Sequence, residues 1–168
     1  DRVIAIEGRV IEALGQLFQE VDVLICIMAI GAVVRAIAPV LKDKASDPAV
    51  VVMDEKATNV ISLLSGHLGG ANQVTRDIAE LLGSNPVITT ATDVQNVTAL
   101  DNLAQSVNGW RPELREFIKP FNSYLGSGRT VYFYQEKDWI TDLRGLTLVD
   151  EEELVAVLKG TEPLILLT

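Results

Sequence analysis

The chain's one histidine, His67, sits in the run Ser65-Gly66-His67-Leu68-Gly69-Gly70-Ala71-Asn72, which also holds three of its twelve glycines. An unperturbed imidazole titrates at about pH 6.5, so His67 is suited to general base or acid work near neutrality. Gly66, Gly69 and Gly70 permit a close backbone approach to a ligand, or simply a tight turn. Asn72 can hydrogen-bond a carbonyl or carboxylate, or mark a helix terminus. Arg35 is the one charge in an otherwise apolar helical stretch, and its planar fork can grip a carboxylate or an internal acid. Lys42, Asp43, Lys44 and Asp47 form a polar loop that is either a solvated connection or a patch of local positive charge with reserve carboxylates. Thr89, Thr90, Thr92 and Asp93 follow a strand-like run and can bind polar groups at a strand end. Asp54 and Glu55 read as hairpin-turn residues.

Several chemistries lack their residues. No Cys/His cluster exists for zinc or an iron–sulfur group. The glycine run has neither G-x-G-x-x-G order nor a Walker lysine, and no G-x-S-x-G elbow occurs.

These residues need elements to hold them. Residues 3–6 suggest a short strand, and Arg9 to Gln19 a helix with Val10, Leu14, Leu17 and Phe18 on one face. Val23 to Met28 is a continuous apolar run of the kind buried on both faces of a parallel sheet. A helix from Ala32 to Leu41 follows, with Pro39 weakening its end. Ala49–Met53 and Val60–Leu64 are separated by six residues, too few for a parallel crossover, so they form an antiparallel hairpin. The glycine turn and a helix come next, with Gly83 as C′ residue, and Pro86–Thr90 reads as another strand. Beyond residue 94, helices are expected over Val97–Val107 and over Pro112–Leu125, the latter broken before Pro120. Strands are expected at Thr130–Tyr134 and Leu164–Leu167, with a helix opened by Asp150-Glu151-Glu152-Glu153. Trp110 and Trp139 are assigned to core or interface packing.

The fold class is therefore α/β. A small Rossmann-like three-layer sheet domain, mostly parallel with one hairpin, spans residues 1–93, and a second small α/β domain spans 94–168. In an open sheet of this kind ligands collect at strand carboxyl ends. Three loops, Ala29–Arg35, Ser65–Asn72 and Thr89–Asp93, are expected to converge there.

Bulk properties narrow the class. At 168 residues, with 48% hydrophobic and 22% charged residues, the chain is a packed protein rather than a disordered one. A net charge of −9 argues against nucleic acid or an anionic membrane as partner. The longest apolar stretch, Val23–Val34, falls short of the roughly 20 residues of a membrane helix. A single cysteine, Cys26, in an apolar run excludes a disulfide framework, makes the thiol a core residue and suits a cytoplasmic location. The absence of an initiator Met and the apolar ending suggest a piece of a longer polypeptide.

Gly31-Ala32-Val33-Val34-Arg35-Ala36-Ile37-Ala38-Pro39, Lys42-Asp43-Lys44, Asp47 to Val52, Ile61 to Asn72 and Pro86 to Asp93 occur in this order. Together they resemble the N-terminal domain of the CbiG family of cobalamin biosynthesis. Residues 97–168 are similar to that family's central region, through Gly128-Arg129-Thr130-Val131 and Tyr132-Phe133-Tyr134. On this resemblance the family's opening strand and helix are expected to be shortened or absent here, and its C-terminal CobE-like domain to be missing.

The resemblance implies a cobalt-precorrin-5A hydrolase, which opens a δ-lactone and releases a two-carbon unit as acetaldehyde to give cobalt-precorrin-5B. Cobalt arrives inside the substrate, so no metal site and no cofactor of its own are implied. For such a reaction His67 is the candidate catalytic base or acid, with Asp93, Asp43 and Asp47 in reserve. Backbone N–H groups of Gly69, Gly70 and Ala71 are candidate oxyanion donors. Arg35, Lys42 and Lys44 would meet the substrate's carboxylates, with Ser65, Gly66, Asn72, Thr90 and Thr92 as further binding residues. Partners implied are cobalt-precorrin-5A and other cobalamin-pathway enzymes, and a homo-oligomer stays open. Two other readings remain: a non-catalytic tetrapyrrole carrier, and a small-anion or nucleotide module.

Overall fold

The structure is a computed structural model and describes residues 5–43, 46–109 and 111–168. The chain divides into two compact units, Asp1–Ile88 and Thr89–Thr168.

In the first unit the order is α1 (Val10–Leu17), β1 (Val23–Ile27), α2 (Ile30–Ile37), β2 (Ala49–Met53), β3 (Asn59–Leu64), α3 (Ala71–Leu82) and β4 (Asn85–Val87). The sheet order is β1-β2-β3-β4. β1 runs parallel to β2, β3 returns antiparallel to β2, and β4 runs parallel to β3. The expected hairpin and three-layer arrangement are thus present. Asp54 builds the hairpin: its carboxylate accepts the backbone N–H groups of Lys56, Thr58 and Asn59 at 3.0, 3.1 and 2.8 Å. These bonds favour the anion and hold the Asp54 carboxyl below its usual range, despite some desolvation.

β2 is the strand buried on both faces. Leu24, Cys26, Val50 and Val52 face α1 and α2 through Leu14, Phe18, Val33 and Ile37, while Val51, Met53 and Val60 face α3 through Ala71 and Ala79. Leucine- and valine-sized side chains buried this completely contribute about 1.5–3 kcal/mol each. The expectation that Val23–Met28 is buried on both faces is corrected. β1 is an edge strand, and its Val23, Ile25 and Ile27 are exposed on the α3 side. An apolar run cannot reveal how far the covering helix extends: α3 packs on β2, β3 and β4.

Other local differences have simple causes. No strand forms at Ala5–Ile6, and residues 3–4 lie outside the described set. Val10 and Leu17 are exposed while Leu14 and Phe18 are buried, so the apolar stripe of α1 is narrower than its sequence suggests. α3 ends on Gly83 at φ +67°, with the Ser84 N–H reaching the Ala79 carbonyl at 2.8 Å, a helix stop that favours glycine.

The second unit contains α4 (Ala91–Val94), α5 (Leu100–Ser106), α6 (Arg115–Gly126), β5 (Tyr132–Gln135), β6 (Thr147–Leu148), α7 (Glu151–Val157) and β7 (Leu164–Leu167). Its sheet, β6-β5-β7, is parallel throughout. Phe133 at the centre of β5 is fully buried against Leu103 and Ile140. α7 opens on a capping box: Asp150 accepts the Glu153 N–H at 2.9 Å and Glu153 accepts the Asp150 N–H at 3.3 Å. α6 runs through Pro120 without breaking, contrary to expectation. Proline removes one donor, but a helix of this length keeps enough of its other bonds to stay continuous. Trp139 is exposed beside the Lys137 ammonium rather than packed in the core, and Trp110 lies outside the described residues.

Candidate functional site

The site is built where β3 ends. Its pairing with β2 slips by one residue: Ser62 faces Val51 and Leu64 faces Val50, which leaves Leu63 as the extra residue. Such a bulge lets Leu63 and Leu64 both pack on the α1–α2 side of the sheet. Ser62 stays on the α3 side and donates its hydroxyl to Asn72 Oδ1 at 2.6 Å. Ser65 then takes φ +55°, an uncommon left-handed conformation for a residue with a side chain, and the chain turns over.

The glycines serve the turn itself. A Cβ on Gly66 would lie 2.7 Å from Asn72 Oδ1, and one on Gly69 would lie 2.4 Å from Ser65 Cβ. Both close approaches are therefore made by the protein's own groups, not by a vacant ligand space. Gly70, at φ +83°, faces open space. The Gly70 N–H bonds the His67 carbonyl at 2.9 Å, the Ala71 N–H the Ser65 carbonyl at 3.1 Å, and the Asn72 N–H the Gly66 carbonyl at 3.0 Å. The expectation of oxyanion donors is corrected for Gly70 and Ala71, whose amides close the turn and cap α3. The Gly69 amide remains as the candidate donor beside half-buried His67.

The 42–47 loop adjoins this turn. Ser65 Oγ donates to the Asp47 carbonyl at 2.9 Å. The Asp47 carboxylate, only 9% exposed, accepts the Lys42 backbone N–H through both oxygens at 3.2 and 3.1 Å. The Asp47 N–H in turn reaches the Asp43 carbonyl at 2.8 Å. Lys42 and Asp43 are exposed, and Lys44 lies outside the described residues. Phe18, Gln19, Asp22, Lys42, Asp47 and Pro48 line an open cleft of about 270 Å³.

Within the first unit the structure places Arg35 apart from this group. Because the hairpin reverses the chain, the carboxyl ends of β1 and β3 lie at opposite ends of the sheet. The expected convergence of Ala29–Arg35 with Ser65–Asn72 is therefore corrected. Arg35 is exposed on α2, and its Nη1 donates to the Gly31 carbonyl at 2.9 Å.

Thr90, Thr92 and Asp93 belong to the second unit. There the Thr90 hydroxyl donates to the Asp93 carboxylate, and Thr92 is buried. Asp93 also acts on Arg144, whose guanidinium is bonded to both Asp142 oxygens at 2.8 Å. Hydrogen bonding from Arg144 holds the Asp142 carboxyl below its usual range, against partial desolvation. Ser62 and Arg144 escaped the sequence reading. A serine inside the apolar strand Val60-Ile61-Ser62-Leu63-Leu64 was a signal for the first, whereas nothing local marked the second.

A mixed sheet between helices, with a histidine-bearing glycine turn at the end of its third strand, defines a Rossmann-like α/β domain. Residues 12–93 match the family described as Cobalamin synthesis G N-terminal. Over these residues the chain carries the N-terminal domain of the CbiG family. A cobalt-precorrin-5A hydrolase of Salmonella typhimurium is 47% identical over 141 residues, 81% of this chain and 40% of that protein. One of Priestia megaterium is 47% identical over 135 residues, 79% of this chain and 36% of that protein. The chain thus spans about two fifths of the curated relatives it matches. A solved cobalamin biosynthesis protein G homologue from Sulfolobus solfataricus superposes with a TM-score of 0.53 at 21% identity. That match covers 92% of this chain and 48% of the other and supports the fold alone.

Proposed function

We propose that this chain is part of a cobalt-precorrin-5A hydrolase. The observation that carries the reading is 47% identity, across about four fifths of the chain, to two proteins of that name. Water adds to the lactone carbonyl, the acyl C–O bond breaks, and a carboxylate and an alcohol result. Loss of the alcohol proton then forms the C=O of acetaldehyde as the adjoining C–C bond breaks. That electron pair passes to the macrocycle, which takes up a proton.

His67 is the base for water and then for the alcohol. The Gly69 N–H supports the oxyanion, and the Lys42 ammonium meets a peripheral carboxylate. Asp43 is the reserve base beside this turn. Asn72 is turned inward, its Oδ1 held by Ser62. The cleft beside Lys42 is smaller than the roughly 300–1,000 Å³ of drug-sized ligand sites. It suits one substituent of the macrocycle, with the rest of the whole protein covering the remainder. The reading carries with it cobalt as part of the substrate, no resident cofactor, a cytoplasmic location and exchange of intermediates with enzymes of the same pathway.

The test adds cobalt-precorrin-5A to the full-length enzyme with acetaldehyde trapped. His67→Ala is expected to cut kcat by about 10²–10⁴-fold, while Arg35→Ala stays within about twofold. Near-normal release by His67→Ala overturns the assignment of the base.

A further inference from the structure

Asp47 is conspicuous because it joins two functional segments without offering a free carboxylate to either. Its side chain is nine-tenths buried and receives the Lys42 backbone N–H on both oxygens. Its main-chain carbonyl receives the Ser65 hydroxyl, and its N–H closes the loop on Asp43. Ser65 in turn packs under Gly69 and receives the Ala71 N–H, so it is the hinge of the His67 turn. A general base needs an oxygen within reach of the reacting proton, and here both oxygens face Lys42 N. We propose that Asp47 is a positioning residue. It fastens the base of Lys42 to the His67 turn, so that the ammonium and the imidazole are presented to the substrate in a constant relation. This rests on the hydrolase reading for its kinetic consequence, and on the hydrogen bonds alone for its structural one.

The geometry separates the side chain from the main chain. Asp47→Asn keeps one carboxamide oxygen for the Lys42 N–H and leaves the Ser65 bond intact, whereas Asp47→Ala frees Lys42. Ser65→Gly cuts the other link and also relieves the positive φ, so backbone strain does not confuse its result.

The experiment uses the full-length enzyme and two readouts: acetaldehyde release across pH, and hydrogen exchange of the segment holding the Lys42 amide. Asp47→Asn is expected to keep kcat within about threefold and to retain the acid limb of the pH profile. Asp47→Ala and Ser65→Gly are each expected to raise KM about tenfold, as loss of one charge-assisted or well-made hydrogen bond does. Lys42 exchange should accelerate about tenfold or more in Asp47→Ala and not in Asp47→Asn. If Asp47→Asn is as inactive as Asp47→Ala and the acid limb disappears, Asp47 is a base and the proposal fails. It fails equally if Asp47→Ala leaves KM and Lys42 exchange unchanged. Should Asp47→Ala not fold, an unchanged KM in Ser65→Gly overturns the proposal. A wild-type enzyme that releases no acetaldehyde sinks the hydrolase reading instead, while exchange at Lys42 still decides whether Asp47 holds the loop.

Discussion

Two buried polar residues of the first unit show how differently a side chain can sit in the same core. Asn72, 3% exposed, is held by Ser62 and supports the Gly66 backbone. Thr75, fully buried one helical turn later, has a hydroxyl with no hydrogen-bond partner among the described residues. A buried donor left unmade carries a desolvation cost. Thr75→Val is therefore expected to raise stability by about 1 kcal/mol, read as a higher urea midpoint at unchanged slope. Cys26 is buried at 4% exposure, and burial pushes its thiol pKa up, so the thiolate is scarce at neutral pH. Native protein should resist a thiol reagent such as iodoacetamide, and unfolded protein should react stoichiometrically. Fast labelling of the native state would contradict the core placement.

Alternation along β1 sets a sharp contrast between neighbours at the scale of the element. Leu24 faces α1 and α2, whereas Ile25 is 49% exposed. Leu24→Ala should cost about 2–5 kcal/mol. Ile25→Thr, which keeps β-branching, should stay within about 0.5 kcal/mol. Equal costs in chemical denaturation would mean that the outer face of β1 is covered. The hairpin was legible because six residues cannot make a parallel crossover, and the glycine stop of α3 because Gly83 follows an amphipathic run. The two-residue β6 was not legible, since its pairing partner lies fifteen positions away in the register Tyr132–Thr147.

Across the whole molecule, the carboxylates with displaced titration bear on acid stability. Asp54 and Asp142 both titrate below their usual range, through backbone N–H groups in one case and Arg144 in the other. A depressed pKa means that their stabilising contribution is complete above about pH 4, the unfolded value, and is lost as pH falls through the folded values. Unfolding midpoints should therefore fall below about pH 4, and Asp142→Asn should flatten part of that fall in the second unit. An acid branch that ignores both Asp142→Asn and Asp54→Asn would contradict this account.

The sequence by itself determined the α/β class, the hairpin, the capped helices and the run around His67, because these follow from local periodicity, turn chemistry and residue type. Only the tertiary structure decided which loops share an end of the sheet. Strand direction after the hairpin sends Arg35 away from the His67 turn and brings Asp47 and Lys42 beside it. It also turned two of the three glycines inward: the space they leave is filled by Asn72 and Ser65, and close approach is a property of pairs that no single run of residues displays.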